Sequence, residues 1–505
     1  MRRLPPFLLA AVVVALAALA PTLCAQASNP TMNLEAGPVL TLDDAIGLAL
    51  KHNKNLIVSS FGRGISRGNL LAARGQFDPS IQATRIGSNS PGQLSPDPTQ
   101  ISIVPPFNYR QDNYTLALTG QTPFGTSYQV GGSAINQRYS FYGFQNDYTT
   151  YAGFQITQHL LKGFGFDANL VNVRIAKANR GISDWAYKQS AITTVTNVIV
   201  GYSNLLLAHD QLNAARKTHD LAAALLAGNE KEYKVGSISQ SDVIAARANL
   251  AQLDEPILIA ERAVRDSQDA LRELIGDEVF LDDEALFILV PPPISDVAVD
   301  LKADIARALT MRPDYQQARL GIVQNRATEA AARNALLPQV DFVGGYGYNG
   351  FGNTFATSRA MLEERNTPSY SAGLQVTIPL TFSVGRGNFR AARLQREMNE
   401  EDLKRREADI AVAVAQAAGQ IETTRRRVEA DRIAYDLATK ALEAQQKKKL
   451  AGTSTTLEVI QQQQSVSLAE SNISSALAAQ RQAAALYDQA VGTTLDRNHI
   501  NLATE

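Results

Sequence analysis

The chain has 505 residues and carries 48 Lys and Arg against 49 Asp and Glu, a formal net charge of −1 that argues against nucleic acid as a partner. Its length exceeds one ordinary domain and suits a duplicated one. His52, His159, His209, His219 and His499 are scattered without ligand spacing, and no catalytic constellation occurs, so no metal, other cofactor or enzymatic activity is expected.

The first residues predict export. Arg2 and Arg3 precede an apolar run from Phe7 to Ala20, and Ala25-Gln26-Ala27 is a small-x-small cleavage site, so residues 1–27 form a signal peptide. Cys24, the only cysteine, offers a rival reading as a lipid-anchored N-terminus, against which Leu23 is a poor processing residue. After Ala27 no apolar run approaches the ~20 residues of a membrane helix, so any membrane contact must be made by strands.

From there the chain reads as helix, strands, long helix, turn and returning helix, twice. In the first repeat, residues 28–276, a helix spans 42–76 and ends at the Phe77-Asp78-Pro79 step. Strands fill 80–158, a long helix 163–235 and a returning helix 237–275. After a linker over 277–300, the second repeat spans 301–492, with a helix over 301–336, strands over 339–380, a long helix over 387–451 and a returning helix over 453–491; residues 493–505 form a tail. Leu42-Asp43-Asp44-Ala45-Ile46 pairs with Leu301-Lys302-Ala303-Asp304-Ile305, and Pro79 with Pro338, at one offset of 259. Phe154-Gln155-Ile156-Thr157 pairs with Leu374-Gln375-Val376-Thr377 at an offset of 220. The turn glycines Gly236 and Gly452 follow at 216, so the chain is a tandem repeat whose first half is the longer.

The strands alternate. Tyr370, Ala372, Leu374, Val376, Ile378 and Leu380 interleave with Ser371, Gly373, Gln375, Thr377 and Pro379, and Tyr114, Leu116 and Leu118 do the same with Thr115, Ala117 and Thr119. Such two-faced segments with aromatics near their ends are the pattern of a membrane barrel. The surplus of the first half corresponds to an additional hairpin over 109–135, which either lengthens the barrel wall or lies outside it. The Gly345-Tyr346-Gly347-Tyr348-Asn349-Gly350 match to a dinucleotide fingerprint lies within a strand and is set aside. The segments Ser88 to Phe107 and Gly350 to Pro368 are expected as outward loops.

The returning helix carries a heptad seam of Val243, Ala246, Leu250, Leu253, Ile257, Ala260, Val264, Ser267, Leu271 and Leu274, with Pro256 expected to bend or interrupt it. The long helix matches it with Ile192, Val195, Ile199, Tyr202 and Leu206. Gly236 and Gly452 each stop a helix, and an acidic residue, Asp242 or Glu458, follows six positions later. Lengths and seams together predict two short helices stacked beside each long one.

With these pieces in place the chain resembles the TolC-type outer membrane efflux protein family. The resemblance rests on Leu42 to Ile46, Ala73-Arg74 to Pro79, Gln158-His159-Leu160-Leu161-Lys162-Gly163-Phe164-Gly165, Gly236 to Asp242 and Gly452 to Glu458, with His159 where relatives usually have proline. It implies an all-α coiled-coil barrel plus a transmembrane β-barrel: a homotrimer in outer membrane lipid, sharing one 12-stranded barrel and a periplasmic α-helical tunnel. A periplasmic adaptor protein and an inner-membrane transporter of the RND, ABC or MFS type are the implied partners. By the same resemblance the hairpin tips, turned by Gly236 and Gly452, form the periplasmic entrance. Asp242, with Ser241, falls on the gate position, and Glu458 on a selectivity ring in which Gln461 replaces a second acid. Lys449 stands where relatives carry tyrosine and is expected to act as the latch partner of Asp242; the simpler role is to offset the negative end of its own helix. The competing function is an exported coiled-coil scaffold or surface adhesin without transport.

Overall fold

The computed structural model describes residues 39–92, 107–276, 287–293 and 298–502. The expected signal peptide, Cys24, most of the segment between Ser88 and Phe107, and parts of the expected 277–300 linker and tail lie outside the described residues.

The first half runs β1 (Val39–Leu40), α1 (Leu42–His52), α2 (Lys54–Gly75), β2 (Ser80–Gly92), β3 (Phe107–Gln121), β4 (Thr126–Tyr139), β5 (Asp147–His159), α3 (Phe166–Asn169), α4 (Val171–Lys234), α5 (Gln240–Gln252) and α6 (Asp254–Ile275). The strand β6 (Ile288–Leu289) precedes the second half: α7 (Leu301–Met311), α8 (Pro313–Asn334), β7 (Gln339–Gly352), α9 (Phe355–Glu364), β8 (Pro368–Thr377), α10 (Ser383–Leu450), α11 (Thr456–Val491) and α12 (Thr494–Arg497).

Three helices expected to be continuous are broken, each for a local reason. The helix expected over 42–76 breaks at Asn53, whose extended backbone lets its side chain accept from Leu56 N at 3.1 Å and cap α2. Its counterpart over 301–336 breaks at Arg312, because Pro313 disfavours helical backbone in the residue before it and starts α8 at the first position. The returning helix over 237–275 breaks at Leu253, which places Pro256 in the first turn of α6, where its missing N–H removes no helical bond. The returning helix α11 has no proline and runs unbroken for 36 residues. The segment expected as a loop between Gly350 and Pro368 contains the ordered helix α9.

The breaks and the helix ends meet. Gly276 ends α6 at φ 74°, and a Cβ there would lie 2.5 Å from the His52 carbonyl oxygen, so glycine is needed for the chain end to pack on the α1–α2 break. In the second half Gly492, at φ 84°, packs in the same way on Met311 and Arg312, and Arg312 Nη1 donates to the Ala490 carbonyl at 3.2 Å. The duplication seen in the sequence is therefore a duplication of packing.

The heptad seams face inward. Ile192, Val195, Tyr202 and Leu206 of α4 are buried, as are Ala246, Val264 and Leu271 of α5 and α6. Of these, Ile192, Val195, Tyr202, Val264 and Leu271 join Leu40, Ile46, Leu56 and Ile275 in the largest apolar cluster. α4 is 64 residues, roughly 96 Å at 1.5 Å per residue, and packs against α2, α5, α6, α8 and α11 along its length. Among the described residues it is the one helix long and apolar enough, by length and composition, to cross a membrane, against expectation; 67% of its most apolar 18-residue stretch is buried within the bundle. Tyr202 is fully buried, and its hydroxyl oxygen lies 2.9 and 2.8 Å from the carbonyl oxygens of Leu40 and Val290 and accepts from Val290 N at 3.1 Å. One tyrosine thus ties the long helix to the parallel pair of β1 and β6, where Val39 faces Ile288 and Leu40 faces Leu289.

The remaining strands form one antiparallel sheet in the order β2-β3-β4-β5-β7-β8. The additional hairpin, β3 and β4, lies within the wall between β2 and β5. The register sorts side chains by face. Ile81, Leu118, Val130, Phe154, Tyr346 and Tyr370 line up across all six strands on one side. The opposite side carries Gln82, Ala117, Gly131, Gly153, Gly347 and Ser369 on the strand row beside it. Apolar and exposed on one face, small and polar on the other, the sheet is built to separate lipid from water. His159, at the usual proline position, places Nδ1 2.7 Å from Asp341 Oδ1 across the β5–β7 ladder.

Candidate functional site at the hairpin tips

Each tip is a helix stop followed at once by a helix start. Gly236 and Gly452 adopt φ 78° and 74°, a left-handed geometry that glycine takes without a Cβ penalty. Ser237 N donates to the Glu232 carbonyl at 2.9 Å and Thr453 N to the Lys448 carbonyl at 3.0 Å, closing the same six-to-one bond over both helix ends. Three residues beyond each glycine a capping box begins the next helix. Asp242 Oδ2 accepts from Ser239 Oγ at 2.7 Å while Asp242 N donates to Ser239 Oγ at 3.2 Å. Glu458 Oε2 accepts from Thr455 N at 3.2 Å while Glu458 N donates to Thr455 Oγ1 at 3.3 Å. The two carboxylates expected at the gate and the ring are thus also the caps of α5 and α11.

Glu458 has further partners, Ser454 Oγ at 2.8 Å and Gln445 Nε2 at 2.9 Å. Bonds from Ser454 and Thr455 hold its carboxyl below the usual carboxylate range, so it is ionised at neutral pH. Glu458 and Gln461 are exposed one helical turn apart, Ser241 is exposed, and Gly236 and Gly452 lie at the open extremity.

Lys449 points elsewhere than expected within the protomer. Its Nζ donates to Asn229 Oδ1 at 2.5 Å, and among the described residues no ion pair joins it to Asp242. Burial pushes the Lys449 ammonium down from its ordinary pKa, opposed by the charges of Glu232 and Asp242. Asn229 has no exposed surface, and its Nδ2 lies 3.3 Å from Thr456 Oγ1 and 3.4 Å from the Asp242 carbonyl oxygen. This one amide touches α5, α10 and α11 from its place on α4. Around it Leu225 and Tyr435 pack on the buried Leu442, Val459 and Val466, and Lys217 Nζ donates to Glu470 at 3.2 Å. Sequence reasoning missed Asn229. The available signal was its spacing from Ala222 and Leu225 at steps of three and four, which puts a polar residue in an otherwise apolar row.

Among the described residues no group of acidic, histidine or cysteine side chains is arranged to hold a metal ion. What the geometry provides is a pair of capped helical tips beneath a two-faced sheet, which is the architecture of an outer membrane channel. The profile of the outer membrane efflux protein family matches residues 110–277 and 305–493, and the chain belongs to that family.

Its likenesses to individual proteins are more distant. It is 25% identical over 345 residues to the alkaline protease secretion protein AprF of Pseudomonas aeruginosa, covering 65% of this chain and 67% of that one. It is 25% identical over 211 residues to the outer membrane protein TolC of Vibrio cholerae, covering 40% of this chain and 45% of that one. Among solved structures, the Campylobacter jejuni outer membrane channel CmeC superposes with a TM-score of 0.65 at 15% identity, over 92% of this chain and 90% of that one. VceC of Vibrio cholerae gives 0.64 at 14% identity over 89% and 96%. These superpositions show that the fold is TolC-like. The family is one of outer membrane efflux proteins, and CmeC is an outer membrane channel.

Proposed function

We propose that three copies of this chain assemble into one channel through which substrates leave passively, from a periplasmic entrance at the hairpin tips to an exit in the outer membrane. The observation that carries this reading is the six-stranded sheet with an apolar and a polar face and with β2 and β8 as unpaired edges. Open edges cannot sit in lipid, because each unpaired backbone group costs several kcal/mol there, so the sheet needs copies of itself to close. With the additional hairpin in the wall, three copies supply eighteen strands where four per chain would supply twelve. A barrel of that strand number encloses an aqueous lumen.

In this assembly the export signal directs the chain out of the cytoplasm, and the helices lie in the periplasm. Ser241, Asp242 and Lys449 belong to the gate, and Glu458 with Gln461 forms the ring that favours cations at the constriction. A periplasmic adaptor and an inner-membrane transporter, as in efflux or type I secretion, open the tips; the likeness to a protease secretion protein favours no one transporter class. A non-transporting scaffold or adhesin has no need of a sheet with one lipid-compatible face. The test is fractionation followed by reconstitution. A heat-sensitive trimer in the outer membrane fraction that conducts ions in planar bilayers is expected, and a soluble periplasmic species that forms no trimer overturns the reading.

A further inference from the structure

The polar face of the large sheet carries little charge. Among the described strand residues on it, the charged types are Asp147 and, at the bundle end, the pair of His159 and Asp341. Between them amides and hydroxyls predominate. Gln111 faces Gln137, Gln129 faces Gln155, and Thr115, Ser133 and Asn349 share one row. The register puts Arg85, Arg110, Asp112 and Arg138 on the opposite, apolar face. α9 packs on that apolar face too, where a Cβ at Gly350 would lie 2.0 Å from the Ser358 carbonyl oxygen, so the helix leaves the polar wall uncovered.

Two aromatic platforms lie along this wall. A Cβ at Gly347 would lie 2.6 Å from Tyr151 Cε2, and one at Gly153 would lie 2.4 Å from the Tyr151 hydroxyl oxygen. Two glycines therefore let the Tyr151 ring lie down on the wall and turn its face outward from it. Ser133 faces Tyr151 from β4, and Tyr139 lies six residues beyond Ser133, roughly 20 Å further from the bundle. There Tyr109 stacks on Tyr139, with ring centres 6.2 Å apart and planes at 28°. Phe107 adjoins them at 6.0 Å from Tyr139, its own ring laid over Gly92. The Tyr139 hydroxyl donates to Gln137 Oε1 at 3.0 Å, which joins this platform to the amide rows.

We propose that this wall binds a neutral saccharide chain inside the barrel, its rings stacked on Tyr151 and on the Tyr109–Tyr139 pair and its hydroxyls bonded to Gln111, Gln129, Gln137 and Gln155. The proposal rests on the barrel reading above, which makes the polar face the lumen. A pyranose ring presents a face of C–H groups, which packs on the electron-rich face of an aromatic ring. Its rim of hydroxyls donates and accepts, as a primary amide does, so each glutamine can meet neighbouring hydroxyls with both functions. Neutral wall and neutral chain match. A polypeptide brings charges of both signs, and neither sign finds a partner between Asp147 and the His159–Asp341 pair.

The experiment is equilibrium dialysis of the full trimer in detergent against radiolabelled maltohexaose and, separately, cellohexaose, the α- and β-linked glucose chains of one length. Saturable binding of at least one is expected, weakened about fivefold by Tyr151→Ala and by Tyr139→Ala, and kept by Tyr151→Phe, which retains the ring. An unstructured peptide of glycine, serine and glutamine of the same mass is expected not to compete. No saturable binding of either sugar overturns the proposal. Binding that both alanine variants leave unchanged overturns it too, since the sugar then sits elsewhere. Equal competition by the peptide overturns it in favour of a polypeptide. Tyr370→Ala, on the apolar face and 82% exposed in the wild-type chain, separates failure of the platforms from failure of the barrel. It leaves binding unchanged if the barrel stands. If it abolishes binding while Tyr151→Ala does not, the other face lines the lumen and the barrel reading itself fails.

Discussion

The ammonium of Lys449 and the amide oxygen of Asn229, 2.5 Å apart and 220 residues distant in sequence, tie the two hairpin tips of one protomer together. The bond is charge-assisted, and the asparagine is fully buried, so its loss leaves polar groups without partners. Hydrogen bonds to charged groups contribute about 1.5–3 kcal/mol.

Asn229→Ala is therefore expected to loosen the tips, raising open-channel conductance events by about tenfold for a loss of ~1.4 kcal/mol. Asn229→Asp restores a partner for Lys449 and is expected to return the closed state. Conductance in planar bilayers reads both. A closed state unchanged in Asn229→Ala rules out the tie, and a closed state unchanged in Lys449→Ala rules out any latch through that lysine.

The tip and packing glycines are expected to differ in their tolerance of alanine. At Gly236 and Gly452 a Cβ would meet nothing within 4 Å, so alanine there costs only the backbone penalty of about 1–2 kcal/mol. Gly276 adds a clash with the His52 carbonyl at 2.5 Å. Thermal unfolding of the helical signal by circular dichroism is expected to rank Gly276→Ala well below Gly236→Ala. Equal losses contradict the packing of the helix end on the α1–α2 break.

Tyr202→Phe keeps the ring and removes the hydroxyl that meets Leu40 and Val290. The backbone N–H of Val290 then loses that partner, at a cost of about 1–3 kcal/mol. Hydrogen exchange localises the effect, with Leu40 and Leu289 amides expected to lose protection while the strands of the large sheet keep theirs.

The C-terminal cap carries a pH dependence. Asp488, buried at the end of α11, has its carboxyl raised from 3.8 to about 6 by burial, which outweighs the nearby guanidinium of Arg497 at 3.0 Å. A carboxyl raised on folding contributes stability that is full below its unfolded value and is lost as pH rises through the folded one. Unfolding temperature is thus expected to fall between about pH 4 and pH 6 on account of this group, by a contribution on the order of 3 kcal/mol at most. Asp488→Asn, which stays neutral, is expected to flatten that interval. A melting profile identical in slope to the wild type across it excludes Asp488 as the source.

Much of this organisation could be read from the residues. Gly236 and Gly452 were legible because few residue types take a left-handed helix stop, and the seams because apolar residues at steps of three and four come onto one face only in a helix. The alternation of Tyr370 to Val376 likewise exposed its two faces before any strand partner was known. Asn229 was legible only in part: it is one of six asparagines in the 64-residue α4, and its spacing from Ala222 and Leu225 does not say what its amide meets until the second hairpin is brought against it. The latch expected between Lys449 and Asp242 followed from the family resemblance together with charge, while the lysine's neighbour in the protomer is set by the turn of α4 that faces it.

By itself the sequence determined the duplication, the helical hairpins and the two-faced strands, because each is written in local periodicity that the backbone converts directly into one face or the other. Tertiary structure alone decided that the β3–β4 hairpin sits inside the wall, that α9 folds onto the apolar face, and that Gly276 and Gly492 seat on the breaks in the first helix of each half. Those outcomes depend on hydrogen-bonding edges and close backbone approaches between residues far apart in the chain. Spacing along one segment carries no record of which distant edge it will meet.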